Sequence, residues 1–468
     1  MKITLYRTFP PHIQKFVRAL YSLVPFQLRM GRGYRQTMKL IRAQEFWNRK
    51  QIKEWQLANL KKIVSYAFES VPGYRQIYRE AGVSPSELNT LEDIRHFPFV
   101  SKELLRDNLR EFTSDRIPKW KLLYRTTGGS TGIPFGFNIL QADIEREAAF
   151  LHNAWARAGW QRGEMSALLR GAFVGSEKEI WEYDPFLKDL RLSSYFLNAR
   201  TYSRFLEILS LKKPVHLQAY PSAATIFADL VLRNNDAGKL RFKLLLLGSE
   251  NLYDWQKTKI MAAFPESRIF SWYGHAEQVL FAPMCEHSGN LHLDPFYGFA
   301  EILDRQDKET EAGATGELVG TSFWNLATPF IRYRTMDMAR KGALECSECG
   351  RNYQLLSSID GRLQELIVTK SGRFISMTAL NMHSNVFDNV KQFQFRQTQA
   401  GKVTFNIVKN INYSNHDAEN IRKELLKKLG TDVDLELAYV NKIEIPQSGK
   451  FRFLIQELPV AYGDHARH

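Results

Sequence analysis

The sequence lacks long apolar runs and has little cysteine. No stretch reaches the ~18 consecutive apolar residues that a membrane-spanning helix needs. The chain has three cysteines, an odd number that argues against a disulfide framework and favours metal or redox chemistry. Its N-terminal segment has no uninterrupted apolar core and no small-residue cleavage site, so no secretory signal is predicted. These absences favour a cytoplasmic protein.

Internal repeats and low-complexity tracts are also absent. The 468 residues are 44% apolar, enough for a sizeable hydrophobic core, and exceed the length of one ordinary domain. We therefore expect a folded chain with more than one domain.

Basic residues outnumber acidic ones, and the formal net charge is +14. Many of the bases crowd the first 50 positions, for which three interpretations are open: a solvated face, a docking surface for anionic lipid or an acidic partner, and a nucleic-acid interface. The aromatic residues of this segment form no base-stacking motif, which disfavours nucleic acid. An amphipathic helix lying on the inner membrane face, which would make the protein peripheral there, is a further alternative.

The middle of the chain alternates strand and helix at βαβ spacing. Apolar strands are predicted at PVHLQA, FKLLLLGS and SRIFSWYG, with helices at PSAATIFADLVLRN and DWQKTKIMAAF between them. Residues 36–80 also show helical periodicity, and residues 290–345 resemble short antiparallel strands with glycine turns. The pattern predicts an α/β fold, with parallel sheets and a β subdomain in a large N-terminal domain.

The pattern of apolar and polar residues changes near residues 358–376. After that point the sequence predicts a small α+β unit, with strands VKQFQFRQT, KVTFNIVKN, LELAYV and KIEI around the helix HDAENIRKELLKKLG. We expect an N-terminal domain over residues 1–360, with a basic helical leader over 1–50, and a mobile C-terminal lid domain over 361–468. The Asp360-Gly361 pair suits a hinge because glycine tolerates large backbone changes.

Hydroxyl side chains and glycines are concentrated in the stretch YRTTGGSTGIPFGF, residues 124–137. Backbone N–H groups and hydroxyls in such a loop suit phosphate oxygens, although a polar turn between two strands is an equal alternative. The loop is not the usual nucleotide-binding loop, because Ile133 rather than Gly-Lys-Ser/Thr follows Gly132.

Cysteine and histidine occur at metal-ligand spacing. The segment MCEHSGNLHLD contributes Cys285, His287 and His292, and the segment CSECG contributes Cys346 and Cys349. These residue types suit a tetrahedral zinc site. The alternative is three reduced cysteines buried as small hydrophobic residues.

Seven short motifs follow one another in a recognisable order. They are TGGSTGIPFG, GSE, WYGHAEQ, TGELVGTSF, YRTMD, DGRLQELI and IPQSGKFRF. Over residues 40–460 this series resembles the adenylate-forming superfamily of acyl-CoA synthetases, luciferases and adenylation domains. It is most similar to the phenylacetate-CoA ligase branch, in particular to members encoded with capsule and surface-polysaccharide genes.

The resemblance implies an enzyme that uses ATP and Mg²⁺ to convert a carboxylic acid to an acyl-adenylate and then transfers the acyl group. CoA is the expected acceptor, with a carrier thiol or a sugar as alternatives. Two other functions stay open: a nucleotidyl transferase that stops at a stable AMP adduct, and a catalytically silent scaffold docked to the membrane. This chemistry needs charge neutralisation and in-line positioning. The resemblance therefore implies carboxylate oxygens, backbone amides and cationic side chains at the site.

The resemblance also assigns roles to single residues. In the family, Tyr273 would lie against adenine, Glu277 would hold Mg²⁺, and Asp337 would accept the ribose hydroxyls. Arg362 would be the partner of Asp337 near the hinge, and Lys450 would reach the carboxylate and the α-phosphate. The phosphates and the remaining nucleotide contacts are assigned to Thr127, Gly128, Gly129, Ser130, Thr131, Gly132, Ser249, Glu250 and Gly274.

The acyl pocket and the metal site complete the expectations. The pocket is expected at the strand ends near Tyr220, Trp272 and His275, where ligands meet α/β sheets. Several members of the branch carry a structural metal, which implies zinc on Cys285, Cys346 and Cys349. The branch favours His292 over His287 as the fourth ligand.

Overall fold

The computed structural model describes residues 30–126, 135–170, 176, 178–185, 187–362, 365–372, 374–380, 385–387, 389–444 and 451–458. Within these ranges, no helix has the length and apolar character required to cross a membrane.

Ten α-helices and twenty strands occur in the described residues. The helices are α1 (Arg32–Gln44), α2 (Arg49–Ser70), α3 (Pro72–Glu80), α4 (Lys102–Asp107), α5 (Gln141–Arg157), α6 (Tyr202–Lys212), α7 (Pro221–Arg233), α8 (Asp254–Ala263), α9 (Met377–Leu380) and α10 (Asn415–Leu429). The first half of the strands are β1 (Leu123–Thr126), β2 (Gly136–Ile139), β3 (Ser166–Leu169), β4 (Trp181–Asp184), β5 (Asp189–Leu192), β6 (His216–Ala219), β7 (Leu244–Gly248), β8 (Arg268–Gly274), β9 (Phe281–Pro283) and β10 (Leu291–His292). The second half are β11 (Gly298–Leu303), β12 (Thr315–Ser322), β13 (Tyr333–Lys341), β14 (Leu355–Arg362), β15 (Leu366–Val368), β16 (Phe374–Ser376), β17 (Val390–Gln399), β18 (Lys402–Lys409), β19 (Asp434–Tyr439) and β20 (Leu454–Gln456).

The chain divides into two compact units, and the first contains the parallel sheet. This unit comprises residues 1–45, 140–248 and 259–271. Strands β5, β3, β6 and β7 pair in parallel, and β4 adds an antiparallel edge. Every side chain of β3, β6 and β7 is buried. This explains why these strands read as apolar runs rather than as alternating patterns.

Helix α7 shows how the sequence begins a helix in this unit. Pro221 occupies its first turn, where its missing N–H is not needed and its fixed φ favours the helix. The predicted strands at 214–219, 242–249 and 267–274 and the predicted helices at 221–234 and 254–264 all form, with ends shifted by a few residues. The expected α/β fold with a parallel sheet is confirmed.

The second unit comprises residues 46–139, 249–258 and 272–468. Its centre is a five-stranded antiparallel sheet in the order β10-β14-β13-β12-β11. Helices α2 and α3 contribute to the same hydrophobic core as this sheet, with Leu60 and Tyr74 from the helices and Leu318 and Ala339 from the sheet. The antiparallel strands expected over 290–345 are therefore confirmed, and the periodicity of residues 36–80 corresponds to helices α1 to α3.

A small α+β body forms the C-terminal part of the second unit. Its sheet has the order β19-β18-β17-β20, and α10 packs Ile421 and Leu425 into a core with Phe395 and Phe405. The strand predicted at KIEI is wrong for residues 442–444, which are irregular. Lys442 and Glu444 lie in solvent and pair with each other at 2.8 Å, whereas β20 supplies the buried Leu454 that the sheet needs.

Candidate active site

Two side-chain hydrogen bonds connect residues 273–277 to residues 333–337 in the second unit. The Tyr273 hydroxyl donates to Asp337 Oδ2 at 2.7 Å, and the Tyr333 hydroxyl donates to Glu277 Oε1 at 3.2 Å. Both carboxylates are largely buried, with 6% of Asp337 and 8% of Glu277 exposed. The structure thus brings the predicted adenine, ribose and magnesium residues into one buried polar patch.

Strand β14 pairs with β13 and contains Arg362, the fourth residue of the predicted nucleotide site. The backbone of Asp337 pairs with that of Arg362, and Met338 pairs with Gly361. Gly361 has a φ of +105°, in the region that favours glycine. A Cβ at this position would lie 3.0 Å from Asn251 Nδ2 and 3.1 Å from Glu365 Oε2, so these two side-chain ends would have to shift to admit a larger residue.

Two buried ion pairs support β13 next to this patch. Glu317 accepts a hydrogen bond from Arg334 Nη1 at 2.6 Å, and Glu301 accepts one from Arg332 Nη2 at 2.8 Å. The guanidinium groups of both arginines stack on the Phe99 ring, at 4.1 and 3.8 Å from its centroid. Burial raises the pKa of Glu317 to about 7, while Arg334 and the Met336 N–H oppose this shift.

Ser249 and Glu250 follow directly on β7. Ser249 is exposed and has a φ of +70°, which is uncommon for a residue other than glycine. Glu250 is half-buried, and its charge acts with burial and Glu365 to raise the pKa of Tyr253. The turn therefore presents Ser249 to solvent and turns Glu250 towards Tyr253.

The pocket residues lie at strand ends. Tyr220 directly precedes α7 in the first unit, and Trp272 and Gly274 belong to β8. The His275 ring meets the edge of the Tyr273 ring, with centroids 5.7 Å apart. Both ring nitrogens of His275 are buried and have no hydrogen-bond partner among the described residues.

Seven predicted residues lie outside the described part of the chain. They are Thr127, Gly128, Gly129, Ser130, Thr131, Gly132 and Lys450. Their assignments stay predictions from the sequence.

A second cluster joins the predicted metal ligands. The ligand atoms of Cys285, His292, Cys346 and Cys349 all lie within 4.8 Å of one another. Two sulfur atoms, those of Cys285 and Cys346, are 3.8 Å apart, and Cys349 Sγ is 3.7 Å from His292 Nε2. A tetrahedral ion with bonds of about 2.3 Å to sulfur and 2.0 Å to nitrogen requires edges of roughly 3.5–3.8 Å. These two distances match such edges, and the donor atoms suit zinc, so the cluster is compatible with a zinc site.

Backbone hydrogen bonds position these four ligands. Cys285 N–H donates to Asn290 O, and Gly350 N–H donates to Cys346 O, both in tight turns. His292 is fixed by pairing with Leu355 across β10 and β14. His287, the alternative ligand, is exposed and lies outside the cluster. Burial raises the pKa of the Cys349 thiol to about 11, so this sulfur would have to lose its proton to bind a cation.

No role is predicted from the sequence for Tyr333, Glu317, Arg334 or Met336. Tyr333 and Arg334 open the motif YRTMD, and Glu317 lies in the motif TGELVGTSF. The motifs thus contained a signal, but the contact of each residue depends on which strands become neighbours.

Comparisons with known proteins relate the chain to adenylate-forming ligases. The family model described as the CapK C-terminal domain matches residues 367–457. The chain is similar to the protein CapK of Staphylococcus aureus, with 23% identity over 86% of this chain and 89% of that protein. It is also similar to the phenylacetate-coenzyme A ligase of Aromatoleum evansii, with 26% identity over 68% of this chain and 72% of that protein.

A solved structure has the same fold. The chain resembles 2-hydroxyisobutyryl-CoA ligase, determined in the postadenylation state in complex with R3-HIB-AMP, with a TM-score of 0.71 and 20% identity. The match covers 88% of this chain and 91% of the other. The expected resemblance, and the two-part fold that it implied, are confirmed.

Proposed function

The chain belongs to the phenylacetate-CoA ligase branch of the adenylate-forming enzymes as a CapK-type member, an acid–thiol ligase, and from that premise we propose its reaction. It activates a carboxylic acid with ATP to give an acyl-adenylate and pyrophosphate. It then transfers the acyl group to CoA, with release of AMP, and a carrier thiol or a sugar is the alternative acceptor. The CapK relationship supports a role in capsular or surface-polysaccharide synthesis.

The observation that carries this proposal is the buried patch of Tyr273, Glu277 and Asp337. An ionised Asp337 accepts hydrogen bonds, as ribose hydroxyls require, and the Tyr273 hydroxyl orients it. A single carboxylate such as Glu277, together with substrate phosphates, is the ligand set that Mg²⁺ commonly takes in nucleotide enzymes. Tyr273, Asp337 and Glu277, which suit the adenine, the ribose and the Mg²⁺ of Mg-ATP, are thus adjacent in one unit.

Catalysis is assigned to charge rather than to covalent chemistry. The backbone amides of residues 127–132 would hold the β- and γ-phosphates, and Mg²⁺ on Glu277 would supply charge neutralisation. The Lys450 ammonium would offset the negative charge that develops on the α-phosphorus, and Arg362 would assist Asp337. Ser249, Glu250 and Gly274 complete the nucleotide contacts in this proposal, and Trp272 and His275 are the residues of the second unit assigned to the acid.

The C-terminal residues 361–468 act as a lid in this proposal, with Asp360-Gly361 as the hinge. Lys450 belongs to the lid and serves the first half-reaction only. The Lys450→Ala variant is therefore expected to lose adenylate formation but to keep acyl transfer from a preformed adenylate. Loss of transfer with intact adenylate formation would contradict the assignment.

The metal cluster takes a structural zinc in this proposal. Cys285, His292, Cys346 and Cys349 would fill all four tetrahedral positions, which leaves no open position for substrate and is typical of structural sites.

The test is ATP–pyrophosphate exchange with a panel of carboxylic acids, followed by product analysis with and without CoA. We expect exchange to depend on the acid and on Mg²⁺, and AMP to appear together with an acyl conjugate when CoA is present. A stable AMP adduct would indicate the nucleotidyl transferase. Exchange that is absent for every acid would indicate the silent scaffold.

The N-terminal region supports a contact with anionic membranes. The exposed bases Arg32, Arg35, Lys39 and Arg42 follow one face of α1, opposite the buried Tyr34, Thr37, Ile41 and Gln44. The first acidic residue of the chain is Glu45. Each base near an anionic surface contributes about 1 kcal/mol, so this face would hold a cytoplasmic enzyme at the inner membrane leaflet.

Cosedimentation with vesicles tests this contact. We expect binding to phosphatidylserine-containing vesicles and not to neutral phosphatidylcholine vesicles. Replacement of the four α1 bases by glutamine should abolish it, whereas the same change at the exposed Lys53, Lys61, Lys423 and Lys427 should not. Equal binding to both vesicle types, or equal effects of the two variants, would overturn the contact.

A further inference from the structure

Strand β13 contains an irregularity directly before Asp337. Glu317 of β12 pairs with Met338, but Val319 pairs with Arg334. Between these two pairs, β12 has one residue, Leu318, and β13 has three, residues 335–337. The two additional residues form a bulge, and bulges commonly redirect a side chain near an active site.

The bulge holds a residue in an unfavourable backbone conformation. Met336 has a φ of +63°, which crowds the Cβ of any residue other than glycine. Such a conformation persists only where surrounding contacts fix it. Here, the Thr335 hydroxyl donates to Leu318 O at 2.6 Å and accepts from the Asp337 N–H at 3.1 Å.

Glu317 provides the remaining contact of the bulge. Its Oε1 accepts the Met336 N–H at 3.3 Å, and its Oε2 accepts Arg334 Nη1 at 2.6 Å. The same arginine donates to Asp307 through Nη2. One carboxylate therefore receives one donor from within the bulge and one from the residue that precedes it, and its side chain is fully buried.

We propose that Glu317 is a positioning residue of the nucleotide site: its carboxylate fixes the bulge of residues 335–337 and thereby directs the Asp337 carboxylate towards the ribose. Glu317 itself does not touch the nucleotide. The inference rests on the proposed function, because Asp337 is the ribose contact in that proposal. It makes the shape of the site depend on a residue of the neighbouring strand.

Glutamine distinguishes this role from simple packing. The Glu317→Gln side chain has nearly the same volume, but its amide has one acceptor oxygen, and its NH₂ group would face one of the two donors. Glu301→Gln is the matched control. Glu301 is also buried, accepts two hydrogen bonds from Arg332 at 2.8 and 3.1 Å, and supports an arginine on the same Phe99 ring. No hydrogen bond of Glu301 to the bulge backbone occurs among the described residues.

The experiment measures binding of ATP and of 2′-deoxyATP to the full chain by calorimetry in the presence of Mg²⁺. The wild type should prefer ATP, because Asp337 accepts the ribose hydroxyl. Glu317→Gln should weaken ATP binding about tenfold and reduce the preference at least about threefold, whereas Glu301→Gln should keep the preference within about twofold. Thermal unfolding of both variants shows whether they are equally destabilised.

A second pair of variants keeps the test independent of folding defects. Thr335→Val removes the hydroxyl of the bulge and should reduce the preference for ATP, and Thr335→Ser should retain it. The inference is overturned if the wild type prefers ATP and Glu317→Gln and Thr335→Val keep that preference. A wild type that binds neither nucleotide would instead overturn the proposed function.

Discussion

The buried patch of Tyr273, Glu277 and Asp337 and the cysteine–histidine cluster lie in the same unit but are held together in different ways. In the patch, each carboxylate has a hydrogen-bond donor, Tyr273 for Asp337 and Tyr333 for Glu277, and next to the patch Arg334 donates to Glu317. In the cluster, three thiols and an imidazole lie within 4.8 Å of one another, and the contacts of the sulfur atoms are weak hydrogen bonds. Protein contacts hold the patch together, whereas the proposed zinc would supply the cluster with additional stability.

The comparison predicts that metal removal has the largest effect. Replacement of Cys346 and Cys349 by serine, or chelation of the wild type, should lower the melting temperature by about 10 °C or more, because the ligand turns lose their cross-link. Calorimetry or circular dichroism provides the measurement, together with metal analysis.

His287 is the control for this prediction. It is exposed and close to the cluster in sequence, so His287→Ala should change neither zinc content nor melting temperature. A purified wild type with less than about half an equivalent of zinc would contradict the metal site, because a structural zinc ion binds with high affinity.

Substitutions in the patch should change ATP binding more than they change the stability of the fold. Asp337→Asn should weaken ATP binding by about 100-fold, because a hydrogen bond from a ribose hydroxyl to a charged acceptor is lost and the amide NH₂ faces donors. Its melting temperature should change by only a few degrees. Asp304→Asn, in the turn after β11, should leave ATP binding unchanged. Equal ATP affinity in both variants would contradict the proposed contact between Asp337 and the ribose.

The two tyrosines sharpen the comparison within the patch. Tyr273→Phe removes the hydrogen bond from Tyr273 to Asp337 and should raise the KM for ATP about three- to tenfold. Tyr333→Phe removes the hydrogen bond from Tyr333 to Glu277 and should raise the Mg²⁺ concentration for half-maximal activity by a similar factor. Each variant is the control for the other. If both altered the same parameter equally, Asp337 and Glu277 would not serve separate parts of Mg-ATP.

A further expected effect concerns pH. Burial raises the folded-state pKa of Glu317 to about 7, so the native state binds more protons than the unfolded state between about pH 4.5 and pH 7. The wild type should therefore lose stability through this group as the pH rises across that window, by at most about 3 kcal/mol. Glu317→Gln lacks this dependence. Unfolding in urea at pH 5, 6, 7 and 8 measures the difference, and parallel curves for the two proteins would contradict it.

The sequence allowed the α/β core to be predicted because its strands are buried on both faces. LLLLG is an apolar run, HLQA falls in the regular alternation of strands and helices, and Pro221 signals where the next helix begins. The strand KIEI failed because charge at alternate positions also suits an exposed irregular segment. The chain formed its fourth C-terminal strand from Leu454–Gln456, where a buried leucine was available.

For this protein, the amino-acid sequence alone determined the order of the motifs, the identity of the chemical groups and the family. Only the tertiary structure decided which groups meet. Tyr333 reaches Glu277, and Glu317 reaches the Met336 N–H, because strand neighbours and a two-residue bulge set these distances. Pairing across strands links residues that are far apart in sequence, and no local propensity encodes such contacts.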